Sequence, residues 1–324
     1  MHDHAHHHSH GAIDPVLLTT QQGIAAIKWS TVALLITALM QFAIVLVSGS
    51  VALLADTIHN LGDALTGLPL WLAFVVTRRA PTARFTYGYG RAEDLAGILI
   101  VLIILMSGII VAYESITHLW HPPAVQYLAA VAIASLIGFL GNEAVARYRL
   151  KVGHEIGSAA LIADGHHART DGLSSLSVLG ATLGVWLGIP IADPVVGLLI
   201  AAVIVKIGWE SGQSMVMRML DGVDPDVTRE VVHAMHHVRG VQDVTEVRVR
   251  WLGHRLLAEV NIAVDPTLSV EGGHQIAGEV QHQLLHHLRY LSNVTVHIDP
   301  LTASGEHHHR ILSHAHGEFP THSH

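Results

Sequence analysis

Two short stretches of this sequence place metal-binding side chains where apolar ones would be expected. One runs from Ala52 to Thr66 and the other from Ala160 to Ser174. Without gaps, both read Ala-Leu-x-Ala-Asp-x-x-His-x-x-x-Asp-x-Leu-Thr/Ser. In each copy a histidine and an aspartate stand four apart: His59 with Asp63, and His167 with Asp171. On a helix that spacing puts both side chains on one face, about one turn from each other. If the two helices face each other, two imidazoles and two carboxylates converge, a donor set that suits a tetrahedral Zn2+. The carboxylates also balance the charge of a divalent ion. Asp56 and Asp164 lie one turn earlier on nearly the same faces, and are expected to orient the helices rather than to ligate. His166 is rotated about 100° from His167 and is expected to be a neighbour of the site.

The elements that must carry these residues follow from the hydropathy pattern. The chain of 324 residues is 50% hydrophobic and only 14% charged, whereas a soluble domain carries about a quarter charged residues. The deficit lies between Lys28 and Gly208; after Asp221 the charge density is that of a soluble domain. A membrane-crossing helix needs roughly 20 apolar residues. Six segments qualify: 28–48, 50–77, 92–118, 124–147, 155–186 and 190–210. The turns after the first, third and fifth hold Gly49, Pro122, Pro123, Gly188 and Pro190, and no Lys or Arg. The other connections hold Arg78, Arg79, Arg84 and Arg91, then Arg147, Arg149 and Lys151. The positive-inside rule makes those loops cytoplasmic, and an even number of spans puts both termini there too. The expectation is a multi-pass protein of the cell membrane.

The two copies of the motif then fall in the second and fifth spans and cross the bilayer in opposite directions. Related elements meeting near the midplane are a recurring transporter arrangement. A charged residue at the centre of a span costs at least ~2.5 kcal/mol on insertion scales. Keeping such groups in matched pairs points to handling of metal ions or protons rather than to helix packing.

Composition removes other classes. There is no cysteine, so disulfides and thiolate sites are excluded, and imidazole and carboxylate remain as the strong ligands. Histidine reaches 28 residues, many of them at the two ends of the chain. A net charge of −8 lacks the basic footprint of a nucleic-acid partner. An enzyme is not expected. His154-Glu155 is not followed by the second histidine of a metalloprotease helix, and four protein ligands leave no open water position. No prosthetic group is implied. The alternative function is a membrane-embedded metal sensor or buffer without transport, which a flux measurement separates.

The soluble part reads as a helix at 226–239, strands at 243–252 and 256–264, a helix at 269–290 and a strand at 292–299. The fold class is therefore an all-α membrane domain of six transmembrane helices plus a small α-β-β-α-β cytoplasmic domain. The expected divisions are a His-rich tail at 1–27, a membrane domain at 28–212, a cytoplasmic domain at 213–300 and a second His-rich tail at 301–324. Both tails are expected to be disordered. On the last strand His297 and Asp299 are two apart and share a face. His233, His236, His237, His282, His286 and His287 read as solvated helix positions, some of which could supplement metal binding.

With these residues in place, the sequence resembles the cation diffusion facilitators. The resemblance covers nearly the whole chain and includes Gly-Ser-Val-Ala-Leu-Leu-Ala-Asp at 49–56 and Tyr-Gly-Tyr-Gly-Arg-Ala-Glu at 87–93. It implies a transport site at His59, Asp63, His167 and Asp171, with Zn2+ as substrate and Cd2+ or Co2+ sometimes carried. It also implies a homodimer that exchanges cytoplasmic metal for protons, and a ferredoxin-like, metallochaperone-like cytoplasmic domain. A regulatory site there would use His274, His297 and Asp299. The sequence departs from the family at two places. Some members hold a loop metal site with a histidine where Tyr89 stands; with Phe85 and Thr82 nearby, no such site is expected. Thr245 and Asn261 stand where other members often have histidine.

Overall fold

The computed structural model describes residues 15–48, 51–63, 65–120, 127–189 and 191–305. The chain divides into two compact units, Met1–Val216 and Met217–His324. The outer parts of both His-rich tails, and the expected turns at Gly49, Pro122–Pro123 and Pro190, lie outside the described residues.

The first unit is helical: α1 (Pro15–Ser48), α2 (Val51–Asp63), α3 (Leu68–Thr77), α4 (Arg91–Trp120), α5 (Leu128–Ile156), α6 (Ala159–Trp186) and α7 (Ala192–Met219). The first helix starts within the segment expected to be a disordered tail. The second expected span is divided between α2 and α3. Pro69 has no N–H to give the carbonyl one turn back, so a continuous helix would lose a bond there. The chain turns instead, with Thr66 N donating to Asp63 O and Leu68 N to Leu65 O. Pro69 then sits in the first turn of α3, where its missing donor costs nothing.

Among the described residues, five segments are long and apolar enough to cross a membrane. The helix α6, at 28 residues, has the length but carries Asp164, His166, His167, Arg169 and Asp171. It is sheltered by its neighbours. Gly153 of α5 and Gly165 of α6 bring the two backbones together: a Cβ at Gly153 would lie 3.0 Å from Ile162 N, and one at Gly165 3.0 Å from Leu150 N. Small residues that let helices approach this closely are how membrane helices gain contact. The core of the unit includes Ile27, Phe74, Ile100, Ile104, Ile156 and Ile204. Leu39, Leu46, Leu102, Ile109 and Leu199 remain exposed on the outer faces, as side chains turned to lipid do.

One cation cluster differs from its expected setting. Arg147, Arg149 and Lys151 lie in the last turns of α5 rather than in a loop. The connection to α6 is only Gly157 and Ser158. Gly157 takes φ 73 and closes α5 through its N–H to Gly153 O, a position that favours glycine. Ser158 caps α6 by accepting from Leu161 N at 3.0 Å and donates to Glu93 Oε1 at 2.6 Å.

The second unit holds α8 (Pro225–His236), β1 (Asp243–Leu252), β2 (Arg255–Val264), α9 (Val270–His287) and β3 (Leu291–Pro300). This is the α-β-β-α-β order expected from the periodicity. The sheet order is β1-β2-β3, with β1 antiparallel to β2 and β3 parallel to it. A two-residue turn, Gly253-His254, makes the hairpin, with Gly253 at φ 62, the left-handed value its first position requires. The parallel pair needs a crossover, which α9 supplies. Asp224 caps α8 by accepting from Asp226 N, and Ser269 caps α9 by accepting from Gly272 N. Alternate residues of β2, from Leu256 through Ala258, Val260 and Ile262, are buried against Val231, Met235, Val280 and Leu284 of the helices.

Candidate metal centre

Three of the four candidate ligands of the duplicated motif meet where α2 ends. Asp63 is the last residue of α2, and His167 and Asp171 occupy one face of α6. One donor atom from each of these three residues lies within 4.8 Å of the others. His167 Nδ1 is 3.6 Å from Asp171 Oδ1. At Zn–N and Zn–O lengths near 2.0–2.1 Å, tetrahedral neighbours stand about 3.3 Å apart. Small side-chain adjustments therefore close these donors on one ion. His59 lies one turn before Asp63 on α2; its side chain, like that of Asp56, lies outside the described residues.

The electrostatics favour a cation. The His167 side chain is 1% exposed and that of Asp171 is 8% exposed. A carboxylate held as far from water as that of Asp171 needs a counter-charge. A divalent ion bound between Asp63 and Asp171 cancels both charges.

Hydrogen bonds invisible to motif reading hold α2 in place. Asn60 Nδ2 donates to Gln41 Oε1 at 2.8 Å, and Gln41 Nε2 donates to Ala134 O at 3.2 Å. The residue next to His59 is thus tied to α1 and through it to α5. Both amides are buried, so the chain between them is an internal polar bridge. Their only sequence signal is an amide within an apolar helix.

Asp164, expected to orient the helices, is paired with Arg149. Arg149 Nη1 lies 3.1 Å from Asp164 Oδ2, with side chains 1% and 0% exposed. A Cβ at Gly67 would come 3.4 Å from Arg149 Nη2, so the α2–α3 turn passes directly over this pair. A second polar link joins the same two helices. Arg169 Nε and Arg147 Nε both donate to the Glu143 carboxylate, at 3.1 Å and 2.8 Å. His166 is outside the three-residue donor group.

In the second unit His297 Nε2 lies 2.9 Å from Asp299 Oδ1. His274 is exposed on α9. Among the described residues of one chain, these three do not form a donor group of the kind found at Asp63, His167 and Asp171. Asn261 pairs with His297 across β2 and β3 and donates to Glu246 Oε2 at 3.0 Å. In the α3–α4 loop, the rings of Phe85 and Tyr89 pack at a tilt with centroids 4.9 Å apart.

Comparison with known proteins identifies the family. Residues 27–219 match the cation efflux transmembrane domain, and residues 223–301 match the cytoplasmic domain of cation efflux proteins. A probable cation efflux system protein of Mycobacterium tuberculosis is 49% identical over 315 residues, covering 92% of this chain and 95% of the relative. The manganese efflux system protein MneP of Bacillus subtilis is 26% identical, covering 79% of this chain and 88% of its own length. A solved cadmium form of a MamM C-terminal domain variant is 32% identical, covering 24% of this chain and 95% of that one, with a TM-score of 0.23. The chain belongs to the cation diffusion facilitator family and is a multi-pass membrane transporter for the efflux of metal cations.

Proposed function

We propose that this protein is a Zn2+/H+ antiporter of the cell membrane, working by alternating access through one site of His59, Asp63, His167 and Asp171. The observation that carries the reading is the convergence of Asp63, His167 and Asp171 donors from two helices within 4.8 Å. His59, one turn from Asp63, supplies the fourth donor. Two imidazoles with two carboxylates favour zinc, with Cd2+ and Co2+ as secondary cargo, over manganese, which prefers oxygen ligands.

Proton coupling follows from the donor chemistry. Imidazole must be neutral and carboxylate ionised to hold the metal. With the site open to the cytoplasm, Zn2+ enters and displaces protons from His59, His167 and the two aspartates. With the site open outward, protons reload those atoms and expel the ion. The termini and the second unit face the cytoplasm, and the protein works as a homodimer. The His297–Asp299 pair supports a regulatory Zn2+ site there, with His274 and a second copy of the chain adding donors.

Reconstituted vesicles carrying dyes for lumenal metal and lumenal pH test the reading. Zn2+ should enter fastest among Zn2+, Cd2+, Co2+, Ni2+ and Mn2+, with protons leaving the lumen as it does. Zinc entry without proton movement, or a preference for Mn2+, would refute it.

A further inference from the structure

The second unit carries another cluster of imidazoles, made of residues other than His274, His297 and Asp299. Glu230, His233, Ala234, His237 and His287 line a cavity of about 310 Å3 where α8 meets the end of α9. His233 and His237 are four apart, and their rings stand 4.6 Å apart, centroid to centroid. His237 Nδ1 lies 2.8 Å from His233 O. A backbone carbonyl only accepts, so Nδ1 carries the proton and Nε2 is the nitrogen left for a ligand. Metal-ligating histidines are commonly held this way, with the other ring N–H donated to a backbone carbonyl. His287 reaches the same cavity from α9.

The scaffold beneath these side chains is firm. Val231, Ala234 and Met235 of α8 and Val280 and Leu284 of α9 are buried in one core. The two helices therefore present their polar faces at a fixed separation, and the histidines stay exposed. Their donors are not preassembled as those of Asp63, His167 and Asp171 are, so the rings must turn to close on an ion. His274 sits near the other end of α9, on the order of 20 Å away at the helical rise.

We propose that Glu230, His233, His237 and His287 form a further divalent-metal site that ties α8 to α9. Three imidazoles and one carboxylate select Zn2+ and ions of similar preference over Mg2+ or Ca2+. The site goes beyond the antiport reading and does not depend on it.

Diethyl pyrocarbonate, which acylates neutral imidazole, provides a residue-resolved test on the full-length protein in detergent, read by peptide mass spectrometry. As Zn2+ is titrated, modification of His233, His237 and His287 should slow together, about tenfold or more, at one midpoint. His287→Ala should move that midpoint at His233 and His237 by about tenfold or more. Asp63→Ala should keep the protection intact, since it touches only the transport site. Three rates indifferent to zinc, or a midpoint unmoved by His287→Ala, would overturn the proposal. So would loss of protection in Asp63→Ala. Failure of the vesicle assay would leave the protection result standing, so the two readings fail separately.

Discussion

Asp171→Asn should reduce zinc transport at least about 100-fold while leaving the helices packed. The substitution keeps size and shape but removes one negative charge beside His167 Nδ1, which lies 3.6 Å from the Asp171 carboxylate. The ion would then sit with a net positive charge among groups buried from water, and uncompensated charge there costs several kcal/mol. Substitutions that only loosen a ligand's orientation typically cost 10–100-fold in metal affinity, so loss of a direct ligand should reach or pass the upper figure. Zinc flux into vesicles, measured over a range of metal concentrations, checks this. Flux within twofold of wild type would remove Asp171 from the site.

Arg149→Met should lower the protein's stability by about 3–5 kcal/mol, because it strands the Asp164 carboxylate in a site where both side chains are almost fully buried. The paired replacement, Arg149→Met with Asp164→Leu, should recover most of that loss, since apolar residues of similar volume often substitute for a buried ion pair at little cost. Thermal unfolding of the detergent-solubilised protein distinguishes the two. The single variant should melt well below wild type, and the double variant should return toward it. A double variant no more stable than the single one would show that Asp164 is held by something other than Arg149. The Arg149 single variant should also slow transport, because Arg149 lies against the α2–α3 turn at Gly67, and that turn follows Asp63.

How much was legible in the sequence depended on how local each signal was. The duplicated Ala-Asp-x-x-His-x-x-x-Asp segment identified the ligand candidates by spacing alone, and three of the four meet in space. The strands of the second unit were readable from alternation, with β1 running from Asp243 to Leu252 as expected. The break after Asp63 was hidden because an apolar run looks continuous, and the missing N–H of Pro69 acts on a single bond. Arg149 was read as a loop cation because the positive-inside rule counts charges and cannot see a partner on the next helix. The Gln41–Asn60 bridge depends on α1 packing against α2, which no periodicity reports. The α8–α9 imidazoles were visible one helix at a time, but their meeting depends on how those helices pack.

The central claim is that His59, Asp63, His167 and Asp171 act as one transport site. Its most direct test is zinc flux and proton counterflow in the same vesicles for the four single alanine variants, with matched protein levels. All four should lose both signals together, His59→Ala included. A variant that moves zinc and protons at the wild-type rate would contradict the account.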